Sequence, residues 1–459
     1  MNPSYSLEAS NLLADKDISK GKELILNAIL KHSSNLTTIR PPISDLKQEY
    51  QETLQEFSKL RGANLLYPYL GSGIGNGPLV ELIDGSVKYD FITGIGVHFF
   101  GHSNSKLIET CLDAACSDIT IQGHLQQNID SMGLLKILTS LSHLPHCFLT
   151  TSGSMAVENS LKIALQKQFP ANRILAFERC FSGRSYMLAQ ISDKPYLRDQ
   201  LPMTYPVDYI PFYDPKEPEE STKRALGALN KIIARYPKQH ALMLFELVQG
   251  EGGCYPGSKD FFVSLMSLLR EHGIAIVVDE VQTFGRLPEI FAFQYYGLEE
   301  FVDVCALGKL SFVCATLFSE RFTPKQGLLG QTFTSTTSSI RCSTEILKML
   351  LHGGFYGPQG KIAVLGGYFK NKLKQLEARK TELLCDITGV GGMIAFTPFG
   401  GNKQKISQFL NNLFHAGVIA FSAGQNPLRV RFLPPMGIIT EKDIDNVMEI
   451  VEKTLIEGI

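Results

Sequence analysis

The chain has no tryptophan, so any aromatic platform in it has to be Phe, Tyr or His. An excess of charge is missing too. Lys and Arg number 44 against 45 Asp and Glu, leaving nothing to attract nucleic acid or an acidic membrane surface. The nine cysteines are scattered, with neither a CxxC pair nor a Cys/His cluster of metal-binding spacing. They read as reduced, buried thiols of a cytoplasmic protein, and no metal site is expected. Residues 1–30 hold Glu8, Asp15, Asp17 and Glu23 and no long apolar run, unlike a signal peptide. No stretch reaches the roughly 18 apolar residues that span a bilayer, so no membrane partner is expected. Internal repeats and low-complexity tracts are also absent.

What remains is an ordinary globular composition, 44% hydrophobic and 19% charged, in 459 residues, enough for two domains. Residues 1–75 read as an N-terminal helical segment, with "SDLKQEYQETLQEFSKLRG" (44–62) an amphipathic helix stopped by Gly62. A Gly-rich passage at 71–102 reads as short strands and tight turns, its "DGS" a hairpin signal. Through 76–330 helical segments alternate with apolar strands: "HCFLTT", "RILAFE", "ALMLFELV", "IAIVVDE" and "VDVCALG". That alternation predicts an α/β domain, a mostly parallel sheet covered by helices. Residues 331–459 turn to long helices with a few strands, including "GMIAFTPF" and "RVRFLPP", a smaller α+β domain.

Chemistry gathers at the strand ends. Ile274–Val278 reads as a strand buried on both faces, yet it runs directly into Asp279 and Glu280. Lys309 follows a second strand, in "LGKLS". "TTSGSMAVENSLKIALQ" (150–166) follows a third and opens a helix with Val157, Leu161, Ala164 and Leu165 on one face. Alone, the Ser152-Gly153-Ser154 turn is an ordinary helix cap, Lys309 a surface lysine and Asp279 a turn cap. Together, at the carboxyl edge of one sheet, they are an amine, an acid and a phosphate cradle. That set suits pyridoxal 5′-phosphate (PLP): a lysine for its aldehyde, an acid for its ring nitrogen, a helix N-terminus for its phosphate.

The sequence resembles the class III, or ω-amino-acid, aminotransferases of PLP fold type I. The similarity runs through "GIGVHFFGH" (94–102), "SGSMAVENSLK" (152–162), "FSGRS" (181–185), "ELVQGEGG" (246–253), "DEVQTFGR" (279–286), "LGK" (307–309), "GQTF" (330–333) and "RVRFLPP" (429–435), in the family's order. The resemblance implies that Lys309 binds the cofactor as a Schiff base and moves the substrate proton, while Asp279 holds the ring nitrogen. It puts Gln282 near the phenolic oxygen, Val281 and Phe181 against the ring, and Gly153 and Ser154 on the phosphate. Thr332 is implied to reach the phosphate across the interface of a homodimer with shared active sites. Arg431 is implied to grip the carboxylate of 2-oxoglutarate or glutamate, Glu251 to neutralise it when an ω-amine binds, and Arg184 to meet a second substrate carboxylate.

Several positions depart from the family. Ser182 replaces a ring, Met155 an acid, the Gly after Thr283 is missing, no proline follows Glu246 closely, and "GKLSFVCATLF" lacks the usual glycines after the lysine. On that last point the chain resembles the lysine ε-aminotransferase branch more than the acetylornithine, ornithine or 4-aminobutyrate enzymes. The reaction implied is transfer of a terminal amino group to 2-oxoglutarate, giving a semialdehyde and glutamate. The same residues leave an aminomutase or a degenerate PLP-binding scaffold or regulator as alternatives. Tyr67 and Tyr69 are candidates for the substrate mouth, with a core or turn role equally open.

Overall fold

The apolar run ending in Asp279 and Glu280 is the middle strand of a seven-stranded sheet in the computed structural model, which describes residues 7–65 and 67–457. Its strands are β1 (His146–Thr150), β2 (Arg173–Phe177), β3 (Val207–Ile210), β4 (His240–Phe245), β5 (Ala275–Glu280), β6 (Val304–Leu307) and β7 (Cys314–Phe318). They lie side by side in the order β1-β7-β6-β5-β4-β2-β3. β5 is parallel to both neighbours, with Val278 beside Cys305 on one side and Phe245 on the other. Every residue of β4, β5, β6 and β7 is buried, as strands covered on both faces require.

β7 alone runs antiparallel, pairing Ala315 with Leu149 and Phe318 with Val304. The sequence reading passed over this strand because its turn carries no turn signal. The chain reverses between β6 and β7 through Lys309 at φ 55° and Phe312 at φ 60°, left-handed values that glycine or asparagine ordinarily supplies. β3 was also passed over; it is a short edge strand, partly buried, with little apolar pattern.

Near the N-terminus the helix Lys47–Arg61 stops at Gly62, which is left-handed at φ 71°. The strands Leu79–Leu82 and Val87–Asp90 form the expected hairpin around Gly85. Val87–Asp90 then pairs in parallel with Val418–Ile419, so a sheet joins the two ends of the chain. The C-terminal part adds an antiparallel sheet in the order Leu384–Val390, Met393–Pro398, Arg429–Phe432, Phe421–Ala423. The helices Lys361–Arg379 and Lys403–Ala416 pack against it, and Glu441–Glu457 packs against both helices.

Among the described residues no helix is long and apolar enough to cross a membrane. The thiols are not uniformly buried: Cys111 and Cys385 are exposed.

Candidate active site

Side chains alternate along a strand, and this decides how Asp279 and Glu280 divide. Glu280 turns into the core, where it accepts hydrogen bonds from Thr283 Oγ1 and, at 2.9 Å, from Phe293 N. It is a structural acid, pushed up to about 7 by burial. Asp279 faces a cavity at the strand ends and accepts a bond from Val281 N at 2.9 Å. Burial raises its pKa to about 6, opposed by that N–H and by the nearby Lys309.

Lys309 enters the same cavity from the end of β6. Burial lowers its ammonium to about 8, and the positive charges of Arg431 and Arg286 push the same way against Asp279 and Glu251. A neutral amine is thus within reach near neutral pH, as an amine that attacks a carbonyl needs to be.

From β1 the chain passes to the helix Gly153–Lys167, capped by Ser152, whose Oγ accepts from Met155 N at 3.2 Å. This leaves the N–H groups of Gly153 and Ser154, first in the helix, without an intrahelical partner at the cavity wall. A Cβ on Gly153 would lie 2.6 Å from Val281 Cγ1, so only glycine lets the helix start approach β5 this closely.

The cavity is about 320 Å³ and is lined by Ser152, Gly153, Ser154, Phe181, Ser182, Gly183, Arg184, Glu246, Val248, Glu251, Asp279, Val281, Gln282, Thr283 and Lys309. Arg431, from the C-terminal sheet, stands behind the cavity wall and donates to two lining residues, to Glu251 Oε2 at 3.0 Å and to Gln282 Oε1 at 3.2 Å. The Arg431 side chain is fully buried and its Nε has no partner. Gly250 makes this network possible, since a Cβ there would sit 2.1 Å from Gln282 Oε1. Two residues away, Arg429 is equally buried but is occupied by the carbonyls of Gly253 and Asp386 and by the Thr388 and Thr397 hydroxyls.

Thr332 is not brought to this cavity within the chain. It lines a separate open hollow of about 590 Å³ beside Gly123, His124, Leu125 and Gln126. Tyr67 packs edge-on against Phe414 and Phe421, and Tyr69 lines another cavity, so neither lies at the mouth of the Lys309 cavity.

Glu246 was given no role by sequence, although it stands in the quoted "ELVQGEGG". It accepts from Phe181 N at 2.8 Å and is raised to about 8 by burial and by the charge of Asp279. Two buried acids this close favour keeping one protonated, and Glu246 is the one. Ser182 Oγ is buried at the cavity wall without a partner, a consequence of a hydroxyl where a ring would pack. Tyr196 is exposed, its phenol raised by burial and by the charge of Glu251 against that of Arg184.

These residues fit PLP: free N–H groups for a phosphate, a buried acid open to the cavity, a poised amine, and Val281 and Phe181 as apolar walls for a ring. A buried acid and amine at the carboxyl edge of a sheet of this topology define a PLP-dependent enzyme of fold type I. The chain belongs to the class-III aminotransferases, whose family profile matches residues 72–455, and it is a PLP-dependent aminotransferase.

Among curated relatives, it is 27% identical to the acetylornithine aminotransferase of Archaeoglobus fulgidus, over 82% of this chain and 93% of that one. It is 26% identical to the [LysW]-aminoadipate semialdehyde transaminase of Deinococcus radiodurans, over 83% and 85%. The lysine aminotransferase of M. tuberculosis has the same fold, with a TM-score of 0.78 at 20% identity over 88% of this chain and 99% of that one. So does the ornithine aminotransferase of Toxoplasma gondii, with a TM-score of 0.77 at 20% identity over 89% and 95%.

Proposed function

We propose that this aminotransferase moves the terminal amino group of an ω-amino acid or diamine, lysine-, ornithine- or 4-aminobutyrate-like, to 2-oxoglutarate. The products are a semialdehyde and glutamate. The observation that carries the reading is the ion pair of Glu251 with the fully buried Arg431 at the Lys309 cavity. A transaminase with two unlike substrates needs a cation for one carboxylate and a way to hide that cation from the other substrate. Paired with Glu251, Arg431 is neutralised, and the cavity accepts a chain that ends in an amine. When Glu251 swings away, the guanidinium is free to take a carboxylate in a two-point grip. The names of the relatives, which concern acetylornithine, ornithine and lysine-derived substrates, favour the same class of donor.

The bound cofactor supplies an electron-accepting ring that stabilises the negative charge left when the substrate C–H bond breaks. Asp279, ionised, would hold the ring nitrogen and keep it protonated. Lys309 Nζ takes the proton from the substrate carbon and returns it elsewhere, which its lowered pKa permits. Gly153 and Ser154 would hold the phosphate by backbone N–H groups, Gln282 would meet the phenolic oxygen, and Val281 and Phe181 would flank the ring. Arg184, exposed at the rim, meets a carboxylate remote from the reacting amine. Thr332 acts on the partner's cofactor in a homodimer with shared sites, in accord with its distance from this chain's own cavity. We further propose a cytoplasmic location.

The test is an absorbance titration of the PLP-loaded protein. Lysine, ornithine, N-acetylornithine and 4-aminobutyrate are added singly, and 2-oxoglutarate afterwards. One donor is expected to bleach the visible band and 2-oxoglutarate to restore it. A band that no ω-amine shifts, or that 2-oxoglutarate does not restore, refutes the proposal.

A further inference from the structure

Away from the Lys309 cavity, two sulfurs face each other. Cys111, exposed on the helix Ser105–Ala115, lies 3.4 Å from Cys342 on the helix Thr337–His352, 231 residues further along the chain. Among the described residues they are the one pair of sulfurs within hydrogen-bonding reach. Cys342 is only 1% exposed, and its sulfur also lies 3.7 Å from the Leu107 carbonyl. The two helices are pinned beside the pair, since Arg341 Nη1 donates to the Asp113 carbonyl at 2.8 Å and its Nε to Asp130 at 2.9 Å. The sulfurs therefore stay opposed, 3.4 Å apart against the about 2.05 Å of a disulfide. The pair sits at the wall of an open cavity of about 550 Å³ that His98, His102 and Phe312 also line, with Cys111 the exposed member and Cys342 buried behind it.

We infer that Cys111 and Cys342 form a redox-responsive thiol pair, with Cys111 the attacking sulfur and Cys342 the resolving one. The exposed thiol is also the more acidic, because the Cys342 sulfur stabilises its thiolate and brings it to about 7, while the buried partner is raised. With glutathione disulfide as oxidant, the Cys111 thiolate attacks one glutathione sulfur. A mixed disulfide forms and one glutathione thiolate leaves. Cys342 then attacks Cys111 Sγ, forming the intramolecular bond and displacing the second glutathione, which carries off the Cys342 proton. Two protein thiols are oxidised and one glutathione disulfide is reduced. Burial bars Cys342 from meeting glutathione first, so the order is set by the fold.

The test uses the reduced holoenzyme, incubated with glutathione disulfide, alkylated, and digested without reductant for mass spectrometry. The Cys111 and Cys342 peptides are expected joined, two hydrogens lighter, and to exceed any other cysteine pairing by about tenfold. Cys342→Ser is expected to trap glutathione on Cys111, and Cys111→Ser to leave residue 342 unmodified. Because Cys111 is exposed, its variant tests the order of attack even if the buried one folds poorly. Stable glutathione on Cys111 in the unaltered protein overturns the inference. So does an unreactive Cys111, or one joined to any cysteine other than Cys342 of its own chain.

Discussion

Replacing Asp279 with asparagine in the protein stripped of its cofactor is expected to stabilise the fold. The amide keeps the shape and can still accept from Val281 N, so the change isolates the cost of a buried charge. Asp279 rises from 3.8 to about 6, and at about 1.36 kcal/mol per pH unit the ionised form costs about 3 kcal/mol. The sign follows from linkage. The folded value is raised, so the penalty is absent below the unfolded pKa, grows as pH climbs from about 4 to about 6, and is complete above that. Asparagine has no such dependence, so its advantage is about 3 kcal/mol at pH 8 and about half that at pH 5. Relief of Glu246, which feels the Asp279 charge, acts in the same direction. With no tryptophan to report, urea unfolding is followed by circular dichroism at the two pH values. The loaded enzyme is expected to behave oppositely, losing roughly a hundredfold or more of its transamination rate because an amide does not hold a ring nitrogen protonated. An unchanged or lowered stability at pH 8, or an equal gain at both pH values, refutes the reasoning.

Lys309 titrates at about 8, so the rate at which the stripped protein takes up PLP is expected to rise with pH and level off there. A rate still climbing at the ordinary lysine value refutes this, and Lys309→Ala is expected to abolish turnover. In Gly153→Ala the new Cβ meets Val281 Cγ1 at 2.6 Å; a loss of about 1–3 kcal/mol in thermal or urea stability is expected, partly recovered by adding Val281→Ala. Glu251→Gln removes the charge that neutralises Arg431, so KM for 2-oxoglutarate is expected to fall about tenfold while kcat/KM for the amine donor drops, measured in separate half-reactions. If Thr332 serves the partner's cofactor, inactive Lys309→Ala chains mixed and refolded with Thr332→Ala chains regain activity, because a hybrid dimer holds one intact site. Mixtures no more active than their parts place Thr332 elsewhere.

Much of the site was legible because its anchors lie at strand ends that declare themselves. Ile274–Val278 is apolar without a break, and so the charge that ends it stands out. The small residues at 152–154 open a helix with a clear apolar face, and Lys309 closes a second apolar run. In each case a local signal, an abrupt change in polarity, marks both the element and its functional end, and at Gly153 and Gly308 a glycine stands beside it. β7 was illegible for the converse reason. Its turn spends backbone strain at Lys309 and Phe312 where a glycine would have advertised it, and strain of that kind clusters at functional sites.

The sequence by itself determined the period and polarity of the elements. From these followed the parallel α/β domain, the helix start at Gly153 and the acid and amine at the sheet edge. Those properties are local, set by backbone sterics and by which residues avoid water. Only the tertiary structure decided that Glu280, next to Asp279, enters the core, and that Arg429, two residues from Arg431, serves backbone carbonyls. It alone set Glu246 beside Asp279, and Cys111 against Cys342 across 231 residues. The physical reason is common to all four. Burial and distant partners decide each of them, and packing, not spacing along the chain, supplies both.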